Sequence, residues 1–326
     1  MNNRRAALGA IISIPAILLV TRRSTAQPAK PTVIGLLDAS DRLEWWDAFR
    51  QQLRELGYVD GRNVRFEMRL AKGDSELLPA MARELVGLKV NVIVTSGTNA
   101  ALAAKRATSA IPIVMATGTD QVSLGLAASL AHPGGNVTGL STLTSELMAK
   151  RFDLIRELIP KMSRLAVLWN TDNLSSMASV RDLQSVTERS KVALQTVGIG
   201  SAQELPGAFT SMTRERAEAV IVVQTPLTYT HRSEIADLAI RNRLPSIWGA
   251  FEYVVAGGLM SYAPSYPELF RRAARYVQKI LKGANAGDLP IEQPSTFELA
   301  VNVKTAQALG MAIPASMLAR ASRIVP

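Results

Sequence analysis

Thr32-Val-Ile-Gly-Leu-Leu37 is an unbroken apolar run. It is followed by Leu43, Trp46, Phe49, Leu53 and Leu56 at helical spacing, by Gly57, and by Val64, Phe66, Met68 and Leu70 in alternation. A strand apolar on both faces belongs to a parallel sheet covered on each side. The three-and-four spacing is that of an amphipathic helix, and Gly57 stands where such a helix stops. Strand, helix and strand within forty residues make a βα unit, and that unit decides the fold.

Outward from this unit the rhythm continues. Leu77, Leu78, Met81, Leu85 and Val86 predict a helix, residues 90–95 a strand, and 99–108 a helix. Residues 113–115 predict a strand, 122–130 a helix, and 137–140 a strand. The series then restarts. Leu147, Phe152, Leu154, Ile155 and Leu158 mark a helix before a strand at 164–169. Helices at 177–189, 203–216 and 231–243 alternate with extended segments at 192–199, 219–223 and 246–247. Two successive strand–helix series predict an α/β chain of two doubly wound, Rossmann-like lobes with right-handed crossovers. The 326 residues agree, since single cores stop growing at roughly 250–300 residues.

In such sheets ligands bind beyond the carboxyl ends of the strands, so function is expected in the turns that follow them. These turns are Asp38-Ala39-Ser40, Ser96-Gly97-Thr98-Asn99, Thr117-Gly118-Thr119-Asp120, Asn170-Thr171-Asp172-Asn173 and Gln224-Thr225-Pro226. Ser, Thr and Asp cap helices in any protein. Five such turns on one rim, with small glycines and open amides, also form a cradle for a carboxylate or similar anion.

The first residues predict export. Arg4 and Arg5 precede an uncharged apolar stretch, 6–20, and Ser24-Thr25-Ala26 offers small residues for cleavage. Fifteen residues span about 22 Å, short of the roughly 30 Å hydrocarbon layer. Residues 1–26 therefore read as a signal peptide cleaved near Ala26, and the location as periplasmic. No later window predicts a membrane span.

The net charge of +10 falls to +6 once the four signal arginines leave 33 basic against 27 acidic residues. The excess is dispersed, without a Lys/Arg block interleaved with aromatics, so nucleic acid is not an expected partner. The chain has no Cys and only two His, His132 and His231. A disulfide and a thiol nucleophile are thereby excluded. Neither His forms a metal-binding pair, so no zinc centre is expected. G-x-S-x-G, the phosphate loop and GxGxxG are likewise missing, so neither a hydrolase elbow, ATP hydrolysis nor a dinucleotide cofactor is expected. Asp38, Asp120, Asp172 and Glu252 could serve acid–base chemistry or pair with a ligand ammonium, and the sequence allows both.

The last third carries an ordered set of motifs: Ala256-Gly-Gly-Leu-Met-Ser-Tyr262, Tyr276-Val-Gln-Lys-Ile-Leu-Lys-Gly283, Asp288-Leu-Pro-Ile-Glu-Gln-Pro294 and Phe297-Glu-Leu-Ala-Val-Asn-Val-Lys-Thr-Ala-Gln-Ala-Leu-Gly310. Earlier segments join them: Leu56-Gly-Tyr-Val-Asp-Gly-Arg-Asn-Val64, His132-Pro-Gly-Gly-Asn-Val-Thr-Gly139 and Lys150-Arg-Phe-Asp-Leu-Ile-Arg-Glu-Leu158. In this the chain resembles the ABC transporter substrate-binding proteins of the tryptophan/tyrosine type. The resemblance implies a type I periplasmic-binding fold, with lobes at 30–141 plus 253–290 and at 142–252 plus 291–326. It also implies a ligand cleft that closes about a hinge, a small carboxylate-bearing solute such as an amino acid, and delivery to an ABC permease and ATPase without catalysis or cofactor.

By position, Ser96, Gly97 and Thr98 would meet a ligand carboxylate, with Ser40, Thr119 and Asp120 beside them. Asn170, Asp172 and Thr225 would approach from the second lobe. Trp248 and Tyr262 would cover an apolar side chain or else pack in the core. Two turns depart from the family pattern: 169–173 has no Pro, and Gln224-Thr225 has no acid. Two other readings stay open: an exported enzyme using Asp120 with Asp172 or Glu252 across the cleft, and a sensor subunit serving a membrane receptor.

Overall fold

The computed structural model describes residues 31–143 and 146–326, so the expected signal at 1–26 lies outside the described residues. The first sheet holds five parallel strands, β1 (Thr32–Asp38), β2 (Val64–Leu70), β3 (Val92–Ser96), β4 (Ile113–Thr117) and β5 (Val137–Gly139), in the order β2-β1-β3-β4-β5. Its helices are α1 (Leu43–Glu55), α2 (Leu78–Gly87) and α3 (Thr98–Ala107). The continuous apolar strands follow from cover on both faces. Ile34, Leu36, Val92 and Val94 pack with Trp46 and Phe49 of α1, whereas Val33, Leu37 and Ile93 pack with Leu85 of α2 and Ala100 of α3.

The second sheet contains β6 (Arg164–Asn170), β7 (Ala193–Ile199), β8 (Ala219–Val222), β9 (Ser246–Trp248), β10 (Met260–Ala263), β11 (Glu298–Asn302) and β12 (Arg323–Val325), in the order β12-β11-β10-β9-β8-β6-β7. Only the β10–β11 pair is antiparallel among the described strands. The accompanying helices are α4 (Leu147–Leu158), α5 (Leu174–Arg189), α6 (Leu205–Arg214), α7 (Pro226–Thr230), α8 (Arg232–Arg241), α9 (Phe251–Val255), α10 (Tyr266–Leu281), α11 (Val303–Ala308) and α12 (Ala315–Arg320). Leu165 and Val167 face Phe152 and Leu183 of α4 and α5, and Leu168 and Val220 face Phe209 and Ile235 of α6 and α8.

Each sheet has one switch point, where the strand order reverses direction: β1/β3 in the first and β6/β8 in the second. Ligands of doubly wound sheets bind at such points. The sheets are separate, yet residues 31–326 form one compact unit. An apolar cluster runs from α1 and α10 through Tyr229, Trp248 and Tyr253 into the second sheet, and this joins the two lobes.

Two expectations need correction. No helix forms over 122–130. Asp120 and Gly125 take left-handed backbone, φ +56° and +68°, and only single-turn hydrogen bonds such as Leu124 N–H to Asp120 O form. The return to the first lobe was expected at 253. Met260–Ala263 instead pairs with both β9 and β11 in the second sheet, and the chain rejoins the first lobe at α10, whose Phe270 packs on Trp45 and Trp46. We therefore place this crossing between Ala263 and Tyr266. A further crossing runs from Asp288 to Glu298, where Glu292 bridges Leu140 at the end of β5.

Candidate functional site

The carboxyl end of β1 sets the floor of the site. Asp38 is fully buried and accepts from Ser40 N–H at 2.8 Å, Arg42 Nη1 at 2.7 Å and Trp46 Nε1 at 2.8 Å. Burial pushes its carboxyl up, against the opposing pull of the Arg42 guanidinium. Arg42 Nη1 also donates to Ser96 Oγ at 3.0 Å, and the guanidinium lies over the rings of Trp45 and Tyr229 at 5.2 and 5.3 Å. Its Nε is buried without a partner. A cation is thus held at the switch point of the first sheet.

Around Arg42 a narrow cleft opens between the lobes. From the first lobe come Gly97 and Thr98 after β3, Thr117 to Thr119 after β4, and Thr142. Gly97 takes φ +96° to turn the chain into α3, a conformation natural to glycine. Its N–H donates to Thr117 Oγ1 at 3.0 Å, and Thr119 N–H donates to Thr98 Oγ1 at 3.1 Å, so the two turns brace each other. The second lobe supplies Asn173 and Ser175 after β6 and Gln224 to Pro226 after β8. Thr225 and Thr228 cap α7 reciprocally, at 2.9 and 3.1 Å. Tyr266, at the start of α10, closes one side and donates its hydroxyl to Gln224 Oε1.

The lining residues include one cation and no carboxylate. The gap measures about 50 Å³, room for a water or two. Anything larger needs the lobes to part or Tyr266 to turn aside.

Thr119 also lines a second chamber of about 390 Å³ with Asp120, Gln121, Leu130, Leu143 and Glu146. Its hydroxyl is buried and unpartnered, as is Gln121 Nε2.

Of the residues expected from the sequence, Gly97, Thr98, Thr119 and Thr225 stand together on the cleft wall. Ser40 and Ser96 are buried beneath it, Ser96 held by Arg42. Asp120 faces the second chamber. Asn170 turns away to donate to Ile199 O at 3.2 Å. With Asp172 it lines an outer groove beside Lys72 and Gly200. Trp248 is in the core, bonded to Ser246 Oγ and stacked on Tyr253 at 4.8 Å. Tyr262 stacks on Phe297 inside the second lobe. Sequence reasoning missed Arg42, Ser175 and Tyr266 as wall residues, and in the 170–173 turn it singled out Asn170 and Asp172 where Asn173 faces the cleft. The Asp38–Arg42 spacing of four was the only available sign.

Glu252 lies at the lobe junction, away from the cleft wall, and accepts from Trp45 Nε1. Asp120, Asp172 and Glu252 therefore do not face one another across the cleft. No described helix is long and apolar enough to cross a membrane, and no described cluster of His or acids could hold a metal.

The family model for ABC transporter substrate binding proteins matches residues 31–325. A tyrosine-binding protein of Clostridioides difficile (strain R20291) is 29% identical over 263 residues, covering 81% of this chain and 75% of that protein. The ABC domain from Streptococcus pneumonia, solved in complex with L-Trp, is 26% identical with a TM-score of 0.84. That match covers 91% of this chain and all of the other. A conserved domain protein from Vibrio cholerae is 26% identical with a TM-score of 0.85, over 90% of this chain and all of the other.

Proposed function

The chain belongs to the ABC transporter substrate-binding protein family, and from that premise we propose that it captures an amino acid between its lobes and delivers it to an importer. The observation that carries this reading is the cleft wall: Arg42 fixed at one switch point, hydroxyls and capping turns around it, and no carboxylate among the lining residues. Such a wall favours a ligand carboxylate, which charge-assisted bonds hold roughly twice as strongly as neutral ones. The cleft wall itself carries no acid, and Asp120 and Glu146 line only the second chamber on the far side of Thr119, which is why binding without turnover fits better than an exported enzyme.

The apolar part of the ligand has Tyr266 on one side and, past Thr119, the second chamber with Leu130 and Leu143 on the other. An aromatic amino acid suits that combination. The relatives that bind tyrosine and L-Trp support the same class. The protein acts outside the cytoplasm after loss of residues 1–26, with an ABC permease and ATPase as partners. Closure follows from ligand contacts made by both lobes at once, which favour the closed form by their differential affinity.

Isothermal titration of residues 27–326 against L-tyrosine, L-tryptophan and a panel of other amino and organic acids tests the reading. Saturable binding of an aromatic amino acid, without chemical change of the recovered ligand, is expected. Absence of binding across the panel overturns it.

A further inference from the structure

Among the described residues, Arg151 of α4 is the largest charged side chain sealed inside the protein, with none of its surface exposed. Its Nε donates to Tyr262 O at 3.0 Å, Nη1 reaches only Met148 Sδ at 3.5 Å, and Nη2 has no partner. A guanidinium has five N–H donors and needs acceptors for them when buried. No carboxylate among the described residues forms a salt bridge with it, unlike Arg42, whose charge is met by Asp38 at 2.7 Å. Burial pulls the group down to about 10, so it stays protonated at neutral pH. The Asp38–Arg42 pair is neutral as a whole. Among the buried charged side chains described, the uncompensated positive charge is therefore that of Arg151.

Its free end points toward the cleft wall. A Cβ at Gly249 would stand 3.3 Å from Arg151 Nη2 and 3.0 Å from Gln224 Oε1. Gln224 and its partner Tyr266 are both wall residues. One residue layer, Gln224 with Tyr266, separates the guanidinium from the cleft, and across a buried layer a field is screened far less than in water. An unpaired buried charge is costly, and an anion on the other side of that layer offsets the cost.

We propose that Arg151 is the positioning cation that makes the cleft select a ligand with a free carboxylate, acting through Gln224 and Tyr266. This rests on the reading of the cleft as an amino-acid site and adds the source of its charge preference. Arg42 touches the ligand; Arg151 sets the potential that the ligand enters.

The test titrates wild type, Arg151→Gln, Arg151→Lys and Gln224→Glu with L-tyrosine and L-tryptophan and with their carboxamides, and follows thermal unfolding of each. Wild type should prefer acid to amide. Arg151→Gln should reduce that ratio on the order of tenfold, and Arg151→Lys should retain most of it. Gln224→Glu should pair with Arg151, raise the Tm, and lose the acid preference. An unchanged acid-to-amide ratio in Arg151→Gln overturns the proposal even if all affinities fall together, because a uniform fall marks a packing role. If Arg151→Gln does not fold, an unchanged ratio in Gln224→Glu overturns it equally. Should wild type bind no amino acid, the functional reading fails instead, and the Tm of Gln224→Glu still reports whether the charge at Arg151 is unpaired.

Discussion

Trp45 in the first lobe donates its indole N–H to Glu252 Oε1 in the second at 2.6 Å, while the same ring stacks on Tyr266 at 4.3 Å and 7°. One side chain thus ties the junction of the lobes to the wall of the cleft. Beside it Glu44 accepts from Tyr229 and Asp41 from Thr230, so the start of α1 is seated on α7 and α9.

Glu252 is a titrating part of that junction. Burial raises its carboxyl and the neighbouring Glu44 adds to the rise, while the Trp45 bond opposes both. The proton of a raised carboxyl is held more tightly in the folded protein than in the unfolded chain. Its stabilising contribution is therefore complete below the ordinary value of 4.5 and is lost as pH climbs through the raised value. Above the raised value the group costs the fold stability instead of adding to it. Glu252→Gln keeps an acceptor for Trp45 and removes the charge. Calorimetry should show Tm higher by about 2–4 °C near neutral pH, for a gain of roughly 1 kcal/mol, with the two proteins converging toward acid pH. A lower Tm at neutral pH refutes this account.

Arg42 has two duties that can be separated. Arg42→Gln leaves Asp38 buried without its cation, which costs about 3–5 kcal/mol and lowers Tm by roughly 10 °C. Asp38→Asn with Arg42→Gln removes both charges and should recover most of that Tm. Affinity for an acidic ligand should remain reduced at least about tenfold in the double variant. Wild-type affinity in the double variant would show that Arg42 only neutralises Asp38.

Thr119 distinguishes a ligand contact from a structural hydroxyl. Its Oγ1 is buried and unpartnered between the cleft and the second chamber. Thr119→Val should leave Tm unchanged or raise it by up to about 1 kcal/mol of stability, because no bond is lost. Weaker binding at unchanged Tm assigns the hydroxyl to the ligand. Unchanged binding removes it from the site.

The architecture was legible because parallel strands covered on two faces must be apolar throughout, as at 32–37 and 219–222, and because helices between them repeat at regular intervals. Wall residues were legible where a turn follows a strand at or beside a switch point, as with Gly97, Thr98, Thr119 and Thr225. After β6 the chain runs on to Asn173 before its helix begins, so Asn173 and Ser175 face the cleft while Asn170 and Asp172 face the outer groove. Trp248 and Tyr262 sit within strands, and strand side chains of a covered sheet enter its core. Arg42 was hidden because a cation four residues after an acid reads as a solvated helix pair. Tyr266 reaches the site through the crossing after β10, which follows no periodicity, and Arg151 stands on the buried face of α4, where apolar spacing alone does not tell a buried cation from a solvated one.

Gly249 is where packing and specificity meet. It has no side chain, and an added Cβ would lie 2.8 Å from Gln224 Cβ, 3.0 Å from Gln224 Oε1 and 3.3 Å from Arg151 Nη2. The first distance is closer than real Cβ atoms come, and the groups it meets belong to the cleft wall and the buried cation. Gly249→Ala must therefore push Gln224 toward Tyr266 and into a gap already about 50 Å³ in volume. Overpacking of this kind costs about 1–3 kcal/mol, so Tm should fall by several degrees. Affinity should fall further than the Tm change alone implies, on the order of tenfold, because the displaced amide occupies the space of the ligand. Gly249→Ala with Gln224→Ala relieves the crowding and should recover the Tm while leaving Arg151 facing an open wall. If Gly249→Ala binds amino acids as wild type does, Gln224 is not part of the wall that the ligand meets.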